Sequence, residues 1–203
     1  MSMEITVYIE DFNDITREGC EKYLENFGIR AQIDPEANFQ VSTGFLPIKV
    51  EFPFIEQLSE KEFISGFEMF QDTFSYEQEL QEINESQDHC ANKFTHTTCL
   101  NKAANSQTAE TPSGDKVFIA DSDIDAVLIR CRYRLDMYYH NMDELVLALA
   151  VASYLAETRN GVVHDPQTGD YYYFDIKQRL SEYIEEALDS IELDGLHPFE
   201  DWA

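Results

Sequence analysis

The chain has 203 residues, 43% of them hydrophobic, enough to bury a core and to exclude global disorder. Asp and Glu number 40 against 14 Lys and Arg, a formal net charge of -26. That balance argues against direct binding to nucleic acid or to an anionic membrane surface, which both need cationic groups, and favours basic protein partners.

In chain order, "EITVYIED" (Glu4 to Asp11) alternates and is β-rich, so it reads as a strand. The absence of a basic n-region and an apolar h-region in this opening reads as no secretory signal. "ITREGCEKYLENFG" follows as a helix, with Ile15, Tyr23, Leu24 and Phe27 on one face, Asp14 as the cap and Gly28 as the stop. "GIRAQID" and "FLPIKVEF" read as two further strands; Pro47 puts the second at an edge or moves its start past the proline. The opening is therefore β-α-β-β.

"SEKE" (Ser59 to Glu62) has the capping-box spacing and predicts a helix from about Glu60. The run "FISGFEMFQDTFSY" fits both periods, and is read as a short helix followed by a strand. From about 81 to 115 the apolar signal fades, which reads as a flexible polar insertion between two halves of one fold. "DAVLIRCRYRL" alternates, with Arg130, Arg132 and Arg134 on one side, and reads as a strand. "NMDELVLALAVASYLAETRNG" is a helix apolar nearly all round, hence central, with Gly161 as its stop; its apolar run is too short to span a bilayer. "VVHDPQTGDYYYFD" reads as a hairpin, with Asp165 to Gly169 reversing the chain. The last helix, within "DIKQRLSEYIEEALDSIELDG", has an apolar stripe and an acidic face.

Four constellations could carry chemistry. His164 and Asp165 are adjacent on a strand and point to opposite faces, which disfavours a catalytic dyad. No phosphate-loop, nucleophile-elbow or zincin motif occurs, so no catalytic residue is assigned and no cofactor is implied. His89, Cys90, His96 and Cys99 have zinc-ligand chemistry but a compressed spacing that no zinc frame uses, so incidental residues in the insertion are the favoured reading. The three arginines are read first as partners for carboxylates on a neighbouring element, and second as an acidic-ligand site. The acidic face of the last helix (Glu182, Glu185, Glu186, Asp189, Glu192) is followed by Phe199 and Trp202, the only tryptophan. Together they are candidate partner-binding residues, an aromatic anchor ringed by carboxylates. The four cysteines read as thiols in a cytoplasmic protein.

The stretch "DELVLALAVASYLAETRNGVVHDPQTGDYYYFD", Asp143 to Asp175, resembles a pattern in immunity-type proteins of bacterial toxin systems: an alanine-rich buried helix ending in glycine, then a "DPQTG" hairpin. The resemblance implies a small cytoplasmic α+β protein that binds and neutralises a toxin, and it carries no functional residues with it. The expectation is thus a single α+β domain over 1–203, with an antiparallel or mixed sheet and helices mainly on one face. Its expected role is a non-enzymatic immunity protein for a basic toxin or effector domain, a nuclease being the natural candidate. The alternatives are an acidic nucleic-acid mimic that regulates a DNA-binding protein, and a small metal-binding module built on the His/Cys cluster.

Overall fold

A computed structural model describes residues 3–40, 44–59, 61–78, 108–110, 116–118, 123–191 and 196–202. The opening follows the β-α-β-β reading: β1 (Met3–Ile9), α1 (Arg17–Leu24) with a 3-10 turn at Glu25–Phe27, β2 (Arg30–Ile33) and β3 (Gly44–Glu51). Gly28 ends the helical segment at φ 73, as expected of a left-handed cap. The N-terminal cap differs from expectation. Thr16, not Asp14, accepts from Gly19 N at 3.0 Å, and Asp14 itself turns the chain at φ 62.

Pro47 lies inside β3, which starts before it and is flanked by β2 and β4 (Phe63–Thr73). The proline is tolerated because β2 ends one residue earlier, at Ile33 opposite Ile48. The Pro47 carbonyl points to that side and accepts from Asp34 N at 3.1 Å, so the missing N–H also faces the end of β2.

Two predicted elements are corrected. Among the described residues around it, no helix begins near Glu60. Ser59 Oγ donates to Glu56 O instead, and the strand β4 takes all of Phe63–Thr73. Burial shows why: Phe63, Ser65, Phe67 and Met69 face the core together, whereas Phe70 is exposed. "DAVLIRCRYRL" is not one strand. It is a short helix α2 (Asp123–Leu128), a turn, and then β7 (Tyr133–Tyr139). Ile124, Val127, Leu128 and Cys131 stand three and four residues apart, which is helical spacing, and all four join one cluster.

The remaining elements fall as predicted. α3 (Met142–Arg159) is buried all round from Leu145 to Ala156. It ends on Asn160 at φ 48, one residue before the expected glycine. Gly161 is needed for a different reason: a Cβ there would lie 2.2 Å from Tyr8 O, so only glycine lets the chain leave α3 beside β1. β8 (Val162–Asp165) and β9 (Asp170–Tyr172) form the hairpin, and α4 (Ile176–Leu188) follows. Of the segment expected to be an insertion, β5 (Thr108–Glu110) pairs with β6 (Lys116–Phe118), just beyond its predicted end; the rest lies outside the described residues.

The main sheet is antiparallel throughout, in the order β2-β3-β4-β7-β1-β8-β9, with β10 (His197–Pro198) pairing with the start of β4. β1 sits near the middle, with Val7 opposite Leu135 on one side and Val163 on the other. α1, α3 and α4 cover one face, so the fold is α+β with helices mainly on one side. Ser65 Oγ donates to Asp143 Oδ2 at 2.6 Å, tying β4 to the start of α3 inside that layer. On the other face, which we call outward, a smaller cluster joins α2 to Tyr8, Val162 and Tyr171.

Candidate interaction surface

The acidic helix is as amphipathic as its sequence says. Ile176, Leu180, Ile184 and Ala187 are buried, while Glu182, Glu185, Glu186 and Asp189 are exposed. Among the described residues none of these four carboxylates is in an ion pair; Glu192 lies outside the described residues. Near its N-terminus Arg179 lies over the rings of Tyr172 and Phe174, at 4.9 and 5.4 Å, beside Glu182 in an open depression.

Phe199 and Trp202 do not ride on this helix. Their rings meet edge to face at 5.1 Å, and the tail that bears them is held on β4 by the β10 pairing and by Phe199 N donating to Glu62 O at 3.0 Å. Lys49 on β3 reaches both parts, with its Nζ 5.1 Å from the Phe199 ring centre and 2.6 Å from Glu62 Oε1. Both aromatics are half-buried. The predicted anchor and the predicted acidic face are thus carried by separate supports.

The arginine triplet also divides. Arg130 and Arg132 are exposed in the turn before β7, so they share no strand face. Arg134 does what the first reading expected: its Nε donates to Asp136 Oδ1 at 2.8 Å and its guanidinium reaches Glu4 at 3.5 Å. His89, Cys90, His96 and Cys99 lie outside the described residues; among those described, no group of three His, Cys, Asp or Glu could hold a metal ion. Cys20 and Cys131 are buried thiols. Burial pushes the Cys131 thiol up to about 12 and raises Cys20 as well, so neither supplies a thiolate near neutral pH.

His164 and Asp165 separate as strand geometry requires. His164 stacks on Tyr171 at 4.0 Å on the outward face. Asp165 is on the helix side and starts the turn, with Oδ1 accepting from Gln167 N at 2.9 Å. The carboxylate is close enough to Tyr139, Tyr172 and Tyr183 to help burial hold their hydroxyls above the usual phenol range.

Pairing across the sheet assembles a group that reading along the chain missed. Phe45 on β3 stands opposite Glu68 on β4, Glu68 opposite Tyr138 on β7, and Tyr138 opposite Glu4 on β1. Phe70 lies two residues beyond Glu68 on the same face, edge to face with Tyr138 at 5.8 Å. Phe45 and Phe70 are 55% and 42% exposed, and Glu68 is exposed as well. The only sequence signal was the apolar residue on the polar phase of each of β3 and β4. It becomes visible once the strand period is fixed.

In comparisons with known proteins, no family model matches the chain, and no curated protein or solved structure matches it significantly. Among the described residues, no helix is long and apolar enough to cross a membrane.

Proposed function

We propose that this chain is a non-enzymatic binding protein that captures a basic protein partner, and that the partner is a toxin domain which it neutralises in the cytoplasm. The observation that carries the reading is the uncompensated charge. Arg17, Arg30, Lys49, Arg134 and Arg159 are each engaged with carboxylates of the chain itself, while the outer face of α4 presents Glu182, Glu185, Glu186 and Asp189 with no ion pair among the described residues. With a formal net charge of -26, the field around the molecule steers cationic surfaces toward it and speeds their encounter. A nuclease toxin fits this mechanism, because its substrate groove is already built to attract anions. The toxin part of the reading rests on the Asp143–Asp175 resemblance, a stretch that folds as a buried helix followed by a hairpin.

The test is genetic and then physical. The gene beside this one should encode a large protein with a variable C-terminal toxin region. Cells expressing that region should survive only with this chain co-expressed, and the two should co-purify in a salt-sensitive complex. The absence of such a neighbour, or death despite co-expression, overturns the reading.

A further inference from the structure

We infer that the outward face of the sheet holds a docking site for a lysine or arginine side chain of the basic partner, formed by Glu68 among Phe45, Phe70 and Tyr138. The inference rests on the proposed function for the identity of the partner. The site itself rests on register, exposure and charge.

Directly opposed residues on one face of an antiparallel pair stand with Cβ atoms about 4.5–5.5 Å apart, and diagonal neighbours about 7–8 Å apart. Glu68 therefore has Phe45 on one flank, Tyr138 on the other and Phe70 at its end. Each ring is held by something other than Glu68. Phe45 leans over Gly66, where a Cβ would lie 2.9 Å from its Cζ. Phe70 rests edge to face on Tyr138, which stands opposite Glu4 on β1. Burial, then the charges of Glu4 and Asp136, keep the Tyr138 hydroxyl protonated above the usual phenol range. The rings are thus placed in advance, and the carboxylate among them stays exposed, without an ion pair among the described residues.

A carboxylate beside exposed aromatic rings is what a primary ammonium or a guanidinium meets in a cation–π site. The surroundings reinforce the sign. Asp72 is exposed one step along the same face of β4, and Arg134, the cation beside it, is already committed to Glu4 and Asp136. A cationic side chain entering here gains a charge partner and apolar contact for its methylenes without displacing an existing ion pair.

The probe is an amidated tri-arginine peptide, titrated into the full-length chain at low ionic strength and followed by backbone amide NMR shifts. The largest shifts are expected at Phe45, Glu68, Phe70 and Tyr138. Glu68→Gln or Phe70→Leu should weaken the peptide roughly five- to tenfold, while changing the four α4 carboxylates to amides should alter its affinity at this site by less than about twofold. A tri-glutamate peptide should produce no such pattern. Shifts spread evenly over the exposed carboxylates, or affinity unchanged by Glu68→Gln, overturn the site. Glu68 is exposed, so that variant keeps the fold even if Phe70→Leu does not. The two readings fail separately: local shifts without protection of cells sink the toxin reading and keep the site, and protection without local shifts does the reverse.

Discussion

On the helix side of the sheet, Ile5, Met137 and Val163 are wholly buried against the helical layer. Turn those same strands over and the neighbours are Glu4, Tyr138 and His164, half-exposed or stacked, with charges bridged by Arg134. The helix side is held by dry packing, where any missing methylene is felt. The outward side is held by paired charges and ring edges, and leaves Phe45, Glu68 and Phe70 free to meet something else. Within one sheet, dry packing and an exposed aromatic–carboxylate group lie on opposite faces. The acidic face of α4 adds a third character: carboxylates in no ion pair among the described residues, with the exposed Phe174 beside Glu182.

That division can be broken by experiment. The largest effect belongs to the helix side: Leu147→Ala should cost about 2–5 kcal/mol in urea denaturation, because Leu147 is fully buried in the layer. Phe70→Leu should stay within about 0.5–1 kcal/mol of the parent. If the two cost alike, the outward face is a second core and not a recognition surface. Next comes kinetics with a basic partner. Replacing Glu182, Glu185, Glu186 and Asp189 by amides should slow association about tenfold at low salt, with the difference fading as salt shortens the screening length to a few ångströms. Glu68→Gln should act mainly on dissociation. The reverse pattern would exchange the roles of the two surfaces.

A smaller effect is expected from Asp143, buried at the start of α3, where burial raises its carboxyl above the usual range despite the Ser65 hydrogen bond. The folded state then holds that proton more tightly than the unfolded one, so stability falls as pH rises from the unfolded pKa through the raised folded pKa. Comparing denaturation midpoints of the parent and Asp143→Asn across that window should show the parent losing ground as pH rises, and a parallel pair of curves would refute it. The smallest effect is an absence. Cys20 beneath the helices and Cys131 beneath α2 should both resist alkylation at mildly alkaline pH until the protein unfolds. Modification of Cys131 alone would mean that the outward cluster opens more readily than the helix side.

Much of the fold was legible where a single period dominated. The apolar surface of α3 left no alternative to burial, and Asp165, Pro166 and Gly169 specified the turn. Reading failed where two periods overlapped. Phe63, Phe67 and Phe70 are spaced like a helix face, yet Phe70 is on the other side of a strand. Val127, Ile129, Cys131 and Tyr133 alternate like a strand, yet the first of them belongs to a helix that seats Leu128 and Cys131 in the outward cluster. The acidic face of α4 was readable because it lies within one helix. The Glu68 group was not, because its members come from three strands and meet only through register. The aromatic tail stood out in the sequence, but what it rests on was decided by β10 joining β4, a long-range pairing with no local signature.

The place of β1 has a consequence for the order of assembly. Its partners are β7 and β8, so Val7 waits for Leu135 and Val163 to emerge before the middle of the sheet can close. β2, β3 and β4 are consecutive and pair among themselves, and that meander can form while later residues are still being synthesised. Until β7 arrives, β1 and the far side of β4 present unpaired backbone, the state in which a nascent chain is most exposed to wrong strand pairing. The distant pairings also predict slow refolding from denaturant for a domain of this size, limited by loop closure. The crowded negative charge bears on that stage too, since like-charged, half-made copies repel one another.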